Sequence, residues 1–119
     1  MVKNEDVVKS FVNGLEDTKT PNLFIEKNIN NGVLILYSYG HHFPLGIKLL
    51  DNTFLINING YSNTTARHKS ILCYELKNCN FKQLALNKHD NILLFDTQQL
   101  KKIIDLGFKN KCEIIQNKI

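Results

Sequence analysis

Three short apolar runs follow one another at hairpin spacing: Val33 to Tyr39, Leu45 to Leu50, and Thr53 to Asn59. Gly40 to Phe43 separates the first two, and Asp51-Asn52 separates the second pair. Turns this short join antiparallel neighbours, so the runs predict a three-stranded meander. Pro44 suits the first position of the middle strand, where no ladder donor is needed. In the third strand Phe54, Ile56 and Ile58 share one face. The rest of the chain must pack on this meander.

Upstream, Asn28-Ile29-Asn30-Asn31-Gly32 is a turn rich in residues that tolerate positive φ, and Leu23 to Glu26 before it reads as a strand. Val7, Val8, Phe11, Val12 and Leu15 recur at helical spacing and predict an amphipathic helix over 5–16, with Asn4 as its cap. Asp17 to Asn22, with Pro21, breaks that helix. Downstream, Gly60 ends the meander. Ser62 or Thr64 then caps a helix over 65–77 whose inner stripe is His68, Ile71, Leu72, Glu75, Leu76 and Cys79. Phe81 to Leu86 alternates loosely as a strand, and Ile92 to Phe95 is a short buried one. Asp96 or Thr97 caps a helix carrying Leu100, Ile103 and Ile104, and Gly107 suits the position after its end. Lys111 to Gln116 reads as a closing strand. The expected class is α+β: one domain over 1–119, a mostly antiparallel sheet around the meander, and two to three helices on one face.

The 119 residues suit one domain, and 43% apolar content is enough for one core. No apolar run approaches a membrane span, and the N-terminus lacks a signal-peptide pattern, so a cytosolic protein is expected. Cys73, Cys79 and Cys112 are odd in number and form no C-x-x-C, which fits reduced thiols better than a zinc site. The formal charge is +4. Arg67 is the sole arginine among fifteen basic residues. A lysine-rich surface attracts acidic partners diffusely, whereas bidentate readout leans on arginine. Abundant Asn, Lys and Ile are also what an AT-rich genome encodes.

Two polar blocks stand out. Tyr37-Ser38-Tyr39-Gly40-His41-His42-Phe43-Pro44 closes the first strand, and Tyr61-Ser62-Asn63-Thr64-Thr65-Ala66-Arg67-His68 opens a helix. His68 lies on the inner stripe near the helix N-terminus, which disfavours the imidazolium and predicts a neutral ring directed at the sheet. It is either hydrogen-bonded to Tyr61 or a backbone carbonyl, or it acts as a base or ligand. Thr64 and Thr65 are natural cap residues, and the N–H groups left over suit an anion, with Arg67 in the same turn. Tyr37 and Tyr39 share one strand face with Ser38 opposite. They pack in a core or offer a platform to a base. His41-His42 reads as a solvated turn, and His89 as a surface-loop residue. No Ser-His-Asp order, glycine-rich phosphate loop, P-loop lysine or H-E-x-x-H is present, which removes the common hydrolase, kinase and zinc-protease classes.

The segments Tyr37-Ser38-Tyr39, Pro44-Leu45, Asn59, Tyr61-Ser62, Thr64-Thr65 and His68 resemble a family of small bacteriophage and prophage proteins without an established function. The likeness spans about residues 36–70, and the His41-His42 pair departs from it. It implies a viral or mobile-element origin and carries no catalytic assignment. The leading expectation is a binding module in the host cytosol, with no cofactor and no membrane association. It would be an anti-defence protein of the anti-CRISPR kind that engages a host protein or nucleoprotein complex, RNA or DNA. Tyr37, Tyr39, His42, Tyr61, Thr64, Thr65, Arg67 and His68 would line its surface. One alternative is a structural domain with a well-capped helix. Another is a metal-independent ribonuclease, with His68 as base oriented by Tyr61, His41 or His42 as acid, and Lys69 or Arg67 steadying the phosphorane charge.

Overall fold

The computed structural model describes residues 2–16, 18–60, 62–76 and 92–117. Helix α1 (Asn4–Val12) leads into β1 (Lys19–Thr20), β2 (Leu23–Lys27), β3 (Leu34–Ser38), β4 (Pro44–Lys48) and β5 (Phe54–Asn57). Helix α2 (Asn63–Glu75), β6 (Ile92–Phe95), α3 (Thr97–Leu106) and α4 (Lys111–Asn117) follow. The six strands lie side by side in chain order. Neighbours from β1 to β5 are antiparallel, and β5 and β6 are parallel. The fold is α+β with a mostly antiparallel sheet, and β3, β4 and β5 form its central meander.

The helices do not share one face, contrary to expectation. Leu34 and Leu36 of β3 pack with Val7, Val8 and Phe11 of α1, Leu72 of α2 and Leu76 just after it. The alternate residues Val33, Ile35 and Tyr37 pack with Leu100 and Ile103 of α3 and Ile114 of α4. All five residues of β3 are buried, as a strand covered on both sides requires. Burial of both faces explains why Val33 to Tyr37 is continuously apolar rather than alternating.

A bulge adjusts this alternation in β4. Leu36 pairs with Gly46 and Tyr37 with Pro44, so Leu45 has no partner in the ladder. The extra residue turns Leu45 onto the α1–α2 side. Gly46 is needed there for close approach. A Cβ on it would stand 3.3 Å from Leu72 Cδ2 and 3.4 Å from the Leu55 carbonyl oxygen. Its absence lets α2 settle on the sheet.

Helix α2 covers Asn63–Glu75 rather than 65–77, the limits of α1 also differ from expectation, and one element changes type. Lys3, rather than Asn4, is the N-cap of α1, and the Asp6 carboxylate accepts the Lys3 N–H at 2.9 Å. This helix ends at Val12, short of residue 16, and Gly14 follows at φ 82°. The segment expected as a closing strand is instead α4. Its start is held by a reciprocal pair: Asn110 Oδ1 accepts from Glu113 N at 3.0 Å, and Glu113 Oε2 accepts from Lys109 N, just before the helix, at 3.0 Å. Helix α3 starts and stops as expected, with Asp96 accepting from Gln99 N at 2.8 Å and Gly107 left-handed after its last turn. The strand expected over Phe81 to Leu86, together with Cys79, His89 and Tyr61, lies outside the described residues.

Candidate functional site

The two polar blocks meet. Ser38, the last residue of β3, points to the α1–α2 side, where its Oγ lies 2.8 Å from His68 Nδ1 and 3.2 Å from Thr65 Oγ1. Ser62 caps α2 by accepting from Thr65 N at 3.1 Å, and its hydroxyl donates to Thr65 Oγ1 at 3.3 Å. Thr65 is therefore not the cap. It is buried one turn inside, with its hydroxyl turned to the sheet. On the far side of the imidazole, Asn4 Nδ2 lies 3.3 Å from His68 Nε2. Thr20 orients that amide by donating to Asn4 Oδ1 at 2.7 Å.

With the Asn4 amide nitrogen turned toward the ring, Nε2 accepts. The hydrogen then resides on Nδ1 and is donated to Ser38, whose own hydroxyl hydrogen passes to Thr65. His68 is fully enclosed, with 0% exposure. Burial holds its pKa below the ordinary histidine value. With the amide in this orientation a second proton on Nε2 would face the Asn4 N–H, and burial also disfavours the charged ring.

No buried side-chain nitrogen or oxygen among the described residues lacks a partner. A base that takes a 2′-hydroxyl proton needs a lone pair open to substrate. His68 offers none, because both ring nitrogens are engaged inside the protein. As placed, it does not fill the base role of the ribonuclease alternative. Lys69 does not reach a solvent-open phosphorane either. It is 6% exposed, and burial pushes its ammonium pKa down.

Tyr37 and Tyr39 are not on one face. Tyr37 is buried on the α3–α4 side, stacked on Phe24 with ring centroids 5.3 Å apart. Burial, with Glu26 and Asp105 nearby, pushes its phenol up to about 12. Tyr39 has φ 73°, and this positive value breaks the strand alternation. Its ring lies on the opposite side, with its centroid 6.4 Å from that of His68. The Tyr39 N–H donates to the Asn22 carbonyl at 2.9 Å. Gly40 sits under His42, where an added Cβ would be 3.0 Å from His42 Nδ1. His41 is not simply solvated. Its Nε2 lies 2.6 Å from Glu26 Oε2, and its ring meets those of Phe24 and Tyr37.

Arg67 and His42 are exposed, and Thr64 is half-buried. The expected recognition residues therefore divide. Thr65 and His68 form the interior, Tyr37 belongs to the opposite core, and Tyr39, His42, Thr64 and Arg67 reach the surface. Asn4, Thr20 and Ser38 complete the interior. Asn4 and His68 are 64 positions apart, so no local pattern links them. Asn57 is a further buried participant at this end of the sheet, donating to the Pro44 carbonyl at 2.8 Å and to Thr97 Oγ1 at 2.9 Å. That bond pair ties the end of β5 to the starts of β4 and α3.

Among the described residues, no helix is long and apolar enough to cross a membrane. No protein-family model matches the chain, and neither a curated protein nor a solved structure matches it.

Proposed function

We propose that the chain is a small binding module of phage or mobile-element origin. On this reading it is an anti-defence protein of the anti-CRISPR kind that engages nucleic acid or a host nucleic-acid machine. The contact surface is the β3–β4 turn together with the first turns of α2. The observation that carries this reading is a division of labour. Ser38, Thr65, His68 and Asn4 bond one another inside, and Tyr39, His42 and Arg67 are exposed on the segments that they join. A rigid rim of aromatic and basic groups is suited to recognition, and the formal charge of +4 favours an acidic partner.

The test is binding of labelled single-stranded RNA and DNA across a salt series. The expected result is an affinity that falls steeply as salt rises from about 50 to 200 mM, with Arg67→Ala weakening binding to all sequences and lowering the salt slope by about one. An affinity flat over that range counts against nucleic-acid recognition. Retention of a host protein on the immobilised chain, unaffected by nuclease, would then point to a protein target.

A further inference from the structure

The chain carries three Asn-Gly pairs: Asn13-Gly14, Asn31-Gly32 and Asn59-Gly60. In such a pair the glycine nitrogen can attack the asparagine side chain, because the glycine has no Cβ to block the approach. By sequence the pairs are alike, but the fold sets them apart. Asn31 is locked: its Nδ2 donates to the Gly107 carbonyl at 3.0 Å, and its Oδ1 accepts from Val33 N at 3.0 Å. The nucleophile beside it is occupied too, since the Gly32 N–H donates to the Asn28 carbonyl at 2.8 Å. Asn13 is exposed, but the Gly14 N–H donates to the Phe11 carbonyl at 3.2 Å.

Asn59-Gly60 differs at each reacting atom. Both residues are exposed. Among the described residues nothing accepts the Gly60 N–H, and a Cβ built on Gly60 would meet nothing within 4 Å. The Asn59 N–H is held by Asn57 Oδ1 at 2.8 Å, so the chain is fixed before this side chain while the peptide after it carries no bond. Asn59 Oδ1 accepts from Thr97 N at 2.7 Å. That N–H belongs to the first residue of α3, where the helix dipole favours negative charge. Attack at Cγ puts negative charge on this same oxygen, so a donor is already aimed at the developing oxyanion. The leaving nitrogen, Asn59 Nδ2, makes no hydrogen bond among the described residues.

We infer that Asn59-Gly60 is a self-modification site at which the folded chain deamidates. Gly60 N bonds to Asn59 Cγ and gives up its proton. The Cγ–Nδ2 bond breaks, and Nδ2 takes that proton and leaves as ammonia. Water then opens the cyclic imide. Its addition at Cγ restores the ordinary backbone with an aspartate at position 59. Its addition at the main-chain carbonyl carbon of the same residue leaves isoaspartate, whose backbone runs through Cβ and Cγ. The aspartate form keeps the Thr97 N–H as its partner and adds a negative charge at the positive end of α3. The isoaspartate form lengthens the backbone between β5 and α2.

The experiment incubates the folded chain at mildly alkaline pH beside a sample unfolded in urea, and follows all three pairs by peptide mass spectrometry. The folded chain is expected to deamidate at Asn59 first, about tenfold or more faster than at Asn31, whose reaction must wait for several hydrogen bonds to open. In urea the three rates are expected to converge. Gly60→Ala places its methyl group in open space, so it is expected to melt as wild type does while slowing the reaction at Asn59 about tenfold. Asn13 or Asn31 reacting ahead of Asn59 in the folded chain overturns the inference. So does an Asn59 that reacts only in urea, or one whose rate Gly60→Ala leaves unchanged.

Discussion

Ser38 and His68 are joined by a 2.8 Å hydrogen bond between Oγ and Nδ1 that closes the sheet against α2. Both residues are 0% exposed. Removing the hydroxyl leaves a buried ring N–H without an acceptor, which costs more than the bond itself contributes. Ser38→Ala is expected to lower unfolding free energy by about 1–3 kcal/mol in urea titrations. A loss of less than a few tenths of a kcal/mol would mean that the ring finds another acceptor.

The neutral state of His68 links stability to pH. Its folded pKa lies below the ordinary value of 6.5, so the unfolded chain binds the proton first. The histidine contribution is therefore fully present above pH 6.5 and is lost as pH falls from there toward the folded pKa. The slope approaches about 1.4 kcal/mol per pH unit while only the unfolded chain is protonated. His68→Gln is expected to lower stability at neutral pH and to lack this slope. Equal slopes in variant and wild type would remove His68 as its source.

Gly46 and Leu72 set the distance between α2 and the sheet. Gly46→Ala places a methyl group 3.3 Å from Leu72 Cδ2 and 3.4 Å from the Leu55 carbonyl. The expected cost is about 1–3 kcal/mol from overpacking. Leu72→Ala alone should cost about 2–5 kcal/mol, because it opens a cavity in a fully buried site. In the double variant the new methyl group fills part of that cavity, so the combined loss is expected to be smaller than the two single losses together. Additive losses would show that the two side chains do not meet.

Much of the framework was legible. Short turns at Gly40 and Asp51 gave the meander, and helical spacing placed His68 on the inner face of α2 and Leu100 and Ile103 on that of α3. Two features had readable signals that pointed elsewhere. The unbroken apolar run of β3 marks a strand covered on both sides, which a single helix layer cannot provide. Asn110 and Glu113, three apart, form a capping pair, yet the β-branched residues after them suggest a strand. The Tyr39 flip and the Asn4–His68 contact had no local signal. The first depends on how Asn22 and the bulged β4 hold the turn. The second depends on tertiary packing of α1 beside α2.

The cap of α4 offers a separate check. Asn110→Ala removes the acceptor for Glu113 N and the partner of Glu113 Oε1 at 3.4 Å. The expected loss is about 1 kcal/mol, with faster amide exchange confined to the first turn of α4. Unchanged exchange at Glu113 would indicate that the helix does not use this cap.

The central claim is that His68 is sealed, neutral and spent on structure, which leaves recognition to the surface above it. Nitrogen-15 NMR of the imidazole ring tests this most directly. The account predicts a protonated Nδ1, an unprotonated Nε2 and a His68 that titrates below the ordinary value of 6.5. A ring whose midpoint lies at or above 6.5, or whose Nε2 carries the exchanging proton, would contradict it.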